Sequence, residues 1–236
     1  MIIGEFKGLG AYGRYTLADD RISFKVPDFT PNQYACTIPL AATTAWLALF
    51  SKSCLNLDRS KAQGTSVLIW GGSCKLVNRF VHIYKLHSNA ITLTASVGLY
   101  AIQLAANYGF EVVTTCSTKH IDLVRSHGAT HVFDYRRESA GENIRAVAPN
   151  LKHAFDTIGK PGSSATASRA FREGPGNVCT VRPGKANTQD VLEGTNVTDV
   201  LVWTAFLKDH NYGEYQWPVS VPRLILNKSG TVVCRN

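Results

Sequence analysis

The chain has no run of the roughly 18 apolar residues that a helix needs to cross a bilayer. None of its six cysteines, Cys36, Cys54, Cys74, Cys116, Cys179 and Cys234, stands in the close pairs of a zinc site or at the density of a disulfide scaffold. The first absence excludes a helical membrane span. The second leaves reduced thiols, several of them buried. The histidines, His82, His87, His120, His127, His131, His153 and His210, fall in no metal-ligand spacing, so no metal is expected and each reads as a surface or capping residue. The start, Met1-Ile2-Ile3-Gly4-Glu5-Phe6, has neither a basic and then apolar leader nor an Arg-rich amphipathic stretch, which leaves a cytoplasmic protein as the expectation. Acid is also scarce: 25 Lys and Arg against 17 Asp and Glu give a formal charge of +8. A basic surface attracts polyanions. Here, however, Lys75, Arg79 and Lys85 stand in residues 74–95 and Arg223, Lys228 and Arg235 in residues 219–236, both acid-free stretches. The remainder has an ordinary enzyme balance, and no nucleic-acid partner is expected.

What is present is the material of a folded enzyme. With 236 residues, 44% hydrophobic and 18% charged, the chain has room for one complete domain and part of another. Its centre alternates between strand and helix periods, the pattern of βαβ units around a parallel sheet. Thr65 to Trp70 reads as a buried strand entering a tight turn at Gly71-Gly72. From Ser96, Val97, Tyr100, Ala101, Leu104 and Ala105 recur at helical spacing until Gly109. Further strands are expected at Phe110 to Cys116, His131 to Asp134, His153 to Thr157 and Asn177 to Val181, with helices near Ile121, Glu138 to Val147 and Ser163 to Phe171. Five strands separated by helices predict an α/β fold with an open, doubly wound Rossmann sheet. Gly10 to Val26 reads as two short strands and Pro39 to Phe50 as a helix of small residues, the end of a different domain. Asp199 to Phe206 is apolar, and Lys208 to Pro218 has no clear period.

A strand that ends in glycines and opens a helix places backbone N–H groups and the helix dipole where a pyrophosphate can sit. In this chain Cys74 to Ala95 separates the two halves of that turn. Without the separation, Gly71-Gly72-Ser73 abuts Ser96-Val97-Gly98. Cys-Lys-Leu can be encoded with a splice donor and Thr-Ala with an acceptor. Excision between them preserves the frame and leaves a serine codon at the junction. The stretch therefore reads as a translated intron, with a genuine inserted loop as the alternative. Val219-Ser220 can be encoded as a second donor, which would make residues 219–236 a tail foreign to the rest.

The second strand closes the cofactor argument. A domain that binds NAD presents Asp or Glu there for the ribose hydroxyls. This chain presents Ser117-Thr118-Lys119, followed by His120. Hydroxyls and an ammonium donate to a 2′-phosphate that a carboxylate would repel, so NADP(H) is expected. The alternative is a plain helix start with Ser117 or Thr118 as N-cap.

The joined turn, with Leu99-Tyr100-Ala101-Ile102-Gln103-Leu104-Ala105, Pro39-Leu40-Ala41-Ala42-Thr43-Thr44-Ala45, Ser117-Thr118-Lys119, Gly128-Ala129 and Phe133-Asp134-Tyr135-Arg136, resembles the medium-chain dehydrogenase/reductase superfamily. The match is closest to the zinc-free fungal enoyl reductases that act in trans with polyketide synthases. That resemblance implies hydride transfer from NADPH to the β-carbon of an α,β-unsaturated acyl thioester, carried on coenzyme A or on a carrier protein of a polyketide synthase, by a monomer or homodimer. It implies cofactor contacts from Thr44, Gly72, Ser73, Ser96, Val97, Gly98, the Ser117 to His120 segment and Tyr135. It implies acyl contacts from Ile38, Pro39, Leu40, Ala41, Ala42 and Thr43, and from Leu201, Val202, Trp203, Thr204 and Ala205. From the residues alone, Thr43 and Thr44 read as packing threonines, and Leu201 to Ala205 has a core strand as its alternative. The expected organisation is a remnant of a GroES-like β-barrel over residues 1–36, a connecting helix over 37–64, an NADP-binding domain over 65–182 interrupted by 74–95, a substrate-pocket or return segment over 183–218, and the foreign tail. The catalytic proton donor is not identifiable. A quinone or zinc-free alcohol oxidoreductase of the same superfamily, or a non-catalytic fragment, remain alternatives.

Overall fold

The computed structural model describes residue 23 and residues 25–73, 96–171, 174–206, 209–212, 215–217, 223–226 and 232–235. A short helix, α1 (Asn32–Ala35), leads through a π-helical turn at Ile38–Ala42 into α2 (Thr43–Phe50). Strands and helices then alternate: β1 (Ser66–Ser73), α3 (Ser96–Asn107), β2 (Glu111–Cys116), α4 (Ile121–Ser126), β3 (His131–Asp134), α5 (Ala140–Val147), β4 (His153–Asp156), α6 (Ser163–Ser168), β5 (Asn177–Thr180) and β6 (Asn196–Asp199). The six strands form one parallel sheet in the order β3-β2-β1-β4-β5-β6. The strand order reverses between β1 and β4, and sheets of this kind bind ligands beyond their carboxyl ends at that reversal.

Helices cover both faces of the sheet, so its central strands read as unbroken apolar runs rather than as an alternation. Within β1 successive side chains still point to opposite faces. Val67 and Ile69 join Ala101, Ile102 and Ala105 of α3 and Val124 of α4. Leu68 and Trp70 join Ile144 of α5 and Ala167 of α6 on the other face. Ile69 is fully buried, a burial that contributes about 1.5–3 kcal/mol. The alanines of α3 let that helix lie close to the strands. The helix stops at Gly109, whose φ of +89° suits a residue without a Cβ.

Four expectations change. The sheet has six strands rather than five. The extra one, Asn-Val-Thr-Asp at Asn196–Asp199, pairs on one side only and so carries no apolar run. It lies in the segment expected to begin at residue 183, so the sheet continues past residue 182. Leu201 to Ala205 is not a strand: a 3-10 turn spans Val202–Phe206 and packs against α2. The first strand does not turn at its glycines but runs through them to Ser73. Lys208 to Pro218, expected without period, contributes β7 (His210–Tyr212) paired antiparallel with β8 (Tyr215–Trp217). In the expected tail, β9 (Arg223–Leu226) pairs antiparallel with β10 (Val232–Arg235). Most of the two strands expected from Gly10 to Val26, and all of Cys74 to Ala95, lie outside the described residues. Among the described residues no helix is long and apolar enough to cross a membrane.

Candidate functional site

The site begins with an irregularity in β1. Trp70 pairs with Thr115 and Ser73 with the very next residue of β2, Cys116, so Gly71 and Gly72 form a bulge. Gly71 has a φ of +92°, a conformation that an L side chain rarely adopts. The bulge removes ladder partners, and neighbouring threonines replace them. The Gly71 N–H donates to the Thr115 hydroxyl at 3.0 Å. Thr157, just past β4, donates its hydroxyl to the carbonyls of Trp70 and Gly71, at 3.0 and 2.9 Å. On the helix side, a Cβ on Gly72 would collide with the Thr114 hydroxyl.

The other half of the turn lies directly against this bulge. A Cβ on Gly98, in the first turn of α3, would stand 2.5 Å from the Gly71 carbonyl oxygen and 3.0 Å from the Gly72 Cα. The first turn of a helix carries N–H groups without intrahelical partners. The glycines that the sequence separates by residues 74–95 are therefore in contact in space. Three glycines have no room for side chains where strand meets helix, a cradle of the shape that a dinucleotide pyrophosphate requires. Ser73 is buried beside the cradle, and Val97 is half-buried in the first turn of α3.

The opposite bank follows β4. Asp156 is fully buried, and its carboxylate accepts from the N–H groups of Ile158 and Gly159, at 2.9 and 3.0 Å. It also accepts from the hydroxyls of Ser163 and Ser164, at 2.5 and 2.6 Å. Four donors fix the loop that carries Thr157 over the bulge. The Gly159 carbonyl in turn accepts from Arg182 Nε and Asn187 Nδ2, each at 2.9 Å. Sequence reasoning missed Thr114, Thr115, Asp156 and Thr157. An Asp two residues before a Val/Ile-Gly pair and seven before paired serines was the available signal for Asp156, whereas the threonines act through strands distant in sequence.

The ends of β2 and β3 lie beside this cradle. Cys116 pairs with Asp134, so Ser117 and Tyr135 leave the sheet side by side. Ser117 stands at the N-cap of the 3-10 turn Thr118–His120 but makes no side-chain cap bond. Thr118 and Lys119 are exposed, and Ser117 and His120 are half-buried. Tyr135 is 47% exposed, and the Arg136 guanidinium lies 5.3 Å from its ring centre. No carboxylate follows β2 where an NAD site would place one.

The π turn at Ile38–Ala42 packs against α3, and Thr37 Oγ1 pairs with the Tyr100 hydroxyl at 2.7 Å. Such widened turns recur at functional sites. Within it Ala41 is buried, Leu40 is exposed, and Ile38, Pro39 and Ala42 are half-buried, as is Thr43 at the start of α2. Thr44 is buried and donates its hydroxyl to the Leu40 carbonyl at 2.7 Å, as a packing threonine does. Leu201, Val202 and Thr204 are buried, with Trp203 and Ala205 half-buried, and the Thr204 hydroxyl donates to the Leu201 carbonyl.

Cys54, Cys116 and Cys179 are buried free thiols, and Cys36 is exposed. Burial, with the Asp134 charge second, pushes the Cys116 thiol up to about 11, so it stays protonated at the end of β2. Burial likewise raises Cys179 well above the ordinary thiol range. Among the described residues no three His, Cys, Asp or Glu side chains gather as metal ligands.

Residues 96–218 match the family described as zinc-binding dehydrogenase. That span begins at the first residue of α3 and stops at Pro218. Curated relatives include the dehydrogenase azaJ of Aspergillus niger, 36% identical over 140 residues, covering 58% of this chain and 34% of the relative. The trans-enoyl reductase himH of Aspergillus japonicus is 34% identical over 153 residues, covering 64% and 39%. A trans-enoyl reductase of Gibberella fujikuroi is 26% identical over 226 residues, covering 90% and 57%. The chain thus spans between about a third and rather more than half of these relatives' lengths. Among solved structures, the CurK enoyl reductase superposes with a TM-score of 0.58 at 17% identity, over 78% of this chain and 48% of that one. A quinone oxidoreductase of Pseudomonas syringae gives 0.53 at 16% identity, over 77% and 50%. At these identities the structural likeness establishes the fold.

Proposed function

Because the chain belongs to the zinc-binding dehydrogenase family, we propose that it binds NADPH at the carboxyl ends of β1, β2 and β3 and serves an enoyl reductase reaction on α,β-unsaturated acyl thioesters. The observation that carries this reading is the contact of Gly98 with the Gly71–Gly72 bulge, beside a second strand followed by Ser117-Thr118-Lys119 instead of a carboxylate. The pyrophosphate would lie on the first turn of α3, where Gly98 lets the backbone approach. Ser117, Thr118, Lys119 and Tyr135 would hold the 2′-phosphate, with His120 beside them. These side chains fit the role because Ser117 spends no hydroxyl on capping the turn and Lys119 makes no ion pair among the described residues. The bound nicotinamide supplies hydride to the β-carbon of the acyl group. The π turn Ile38–Ala42 and Thr43 at the start of α2, with the half-buried Trp203 and Ala205, would flank the acyl chain and exclude water. Thr43 offers a hydroxyl there, whereas Thr44 already donates its proton to Leu40. The family's description names zinc, but no ligand cluster for it exists among the described residues, and no step is routed through a metal.

The trans-enoyl reductases among the relatives support an unsaturated acyl substrate; the reading adds a thioester from polyketide metabolism, on a carrier protein or coenzyme A, and a cytoplasmic monomer or homodimer. Fluorescence titration with NADPH and NADH tests the cofactor. NADPH should bind more tightly, and Lys119→Ala should cost about 1.5–3 kcal/mol of that binding through loss of one charge-assisted contact. Equal affinities, or no loss on Lys119→Ala, would overturn the NADPH assignment. NADPH consumption with a crotonyl thioester then tests the reaction, and turnover of quinones or alcohols in its place would redirect the substrate class.

A further inference from the structure

Two of the buried thiols meet in the core. Cys54 stands in the turn after α2 and Cys179 within β5, and both belong to the apolar cluster that α3 covers. Cys179 pairs across the sheet with Thr198 of β6. The Cys54 Sγ lies 3.5 Å from the carbonyl oxygen of Asp199, the next residue of β6. The Cys54 side chain therefore reaches the sheet beside Cys179, and a hydrogen bond joins the two thiols. Their settings differ. Cys179 is fully buried, whereas Cys54 keeps 8% of its surface exposed and so forms the outer member of the pair. The bond from Cys179 holds the Cys54 thiol below its ordinary range, and burial holds Cys179 well above it. An outer thiol that ionises beside an inner one that keeps its proton is an arrangement in which one sulfur is oxidised and the other resolves it.

We propose that Cys54 and Cys179 close to a reversible disulfide when the chain meets a peroxide, a staple that ties the turn after α2 to β5. Hydrogen peroxide oxidises the Cys54 sulfur to a sulfenic acid and releases one water. The Cys179 sulfur then attacks the Cys54 sulfur, the S–S bond forms, and the leaving hydroxide takes the Cys179 proton as a second water. Two thiols are oxidised, one peroxide is reduced, and a dithiol reverses the change. The staple closes a long loop, and the longer the loop the more freedom a disulfide removes from the unfolded chain. The proposal is independent of the hydride-transfer reading. The test treats the full, folded chain with a small excess of hydrogen peroxide, alkylates the remaining thiols and identifies the joined peptides by mass spectrometry. Expected is a Cys54 peptide linked to the Cys179 peptide, a chain lighter by two hydrogen atoms, and return of both thiols with dithiothreitol. The melting temperature should rise by about 5–15 °C on oxidation. Cys54→Ser should abolish the link and the rise together. In Cys179→Ser the Cys54 sulfenic acid has no resolving partner and should be trapped by dimedone; if that variant does not fold, Cys54→Ser still carries the control. Recovery of both thiols unchanged would overturn the proposal, as would a link through any of the other four cysteines, a link that forms only in denaturant, or a melting temperature that oxidation leaves where it was.

Discussion

The contact between Gly98 and the β1 bulge is the most exposed part of the argument, and Gly98→Ala perturbs it alone. The added Cβ would stand 2.5 Å from the Gly71 carbonyl oxygen and 3.0 Å from both the Gly72 Cα and the Gly72 carbonyl oxygen. All three atoms are backbone, so no side-chain rotation relieves the clash. An ordinary carbon contact lies at about 3.5–4.0 Å, so α3 must withdraw by about 1 Å. Overpacking of this kind costs about 1–3 kcal/mol. The same shift moves the first-turn N–H groups away from a pyrophosphate, and loss of one hydrogen bond to a charged group removes about 1.5–3 kcal/mol of binding. At about 1.4 kcal/mol per tenfold, NADPH affinity should fall roughly 10- to 150-fold. The matched control is Gly141→Ala, at a helical position where an added Cβ meets nothing within 4 Å, and where alanine should if anything stabilise. Thermal melting reads the clash whether or not cofactor is present, and fluorescence titration reads the phosphate turn. If Gly98→Ala melts with Gly141→Ala and binds NADPH as the parent does, the cradle is not where we place it.

Three further outcomes follow from the same geometry. Replacing residues 74–95 with a single serine joins Gly71-Gly72-Ser73 to Ser96-Val97-Gly98 through a short turn and should tighten NADPH binding; an unchanged dissociation constant would contradict the intron reading. Asp156→Ala strands three donors, the N–H groups of Ile158 and Gly159 and the Ser164 hydroxyl, while Ser163 keeps the Lys160 carbonyl, and each group left unpaired costs about 1–3 kcal/mol. Chemical denaturation should therefore show one of the larger single-residue losses in the chain, and a loss no greater than that of an exposed alanine substitution would refute the loop's role. Burial lowers the pKa of His153 below its ordinary 6.5, and its Nδ1 has no partner. The unfolded chain then binds more protons than the folded one as pH falls through about 6.5, so stability is full above that point and declines below it. A series of melting temperatures from pH 8 to pH 5 should slope downward for the parent and less steeply for His153→Gln, and identical slopes would exclude His153 as the cause.

The alternation of strands and helices was legible because periodicity is a local property, and a strand covered on both faces announces itself as an apolar run such as Val67-Leu68-Ile69-Trp70. The glycine pair, the Ser96-Val97-Gly98 start of α3 and the missing carboxylate after β2 were legible for a similar reason, since each is a demand that a phosphate makes on a few consecutive residues. Strand β6 was not legible, because an edge strand paired on one side needs no apolar run. The alternative of a core strand at Leu201 to Ala205 could not be set aside from the sequence, because an apolar segment that packs on a helix carries the same composition as one that pairs in a sheet. Only the tertiary structure decided that Gly98 meets Gly71 across Cys74 to Ala95, that the glycines form a bulge instead of a turn, and that Thr115 and Thr157 bond to what the bulge frees. Those bonds join residues distant in the chain. Composition and spacing determine which groups need partners, and the packing of the sheet against its helices determines which partners they meet.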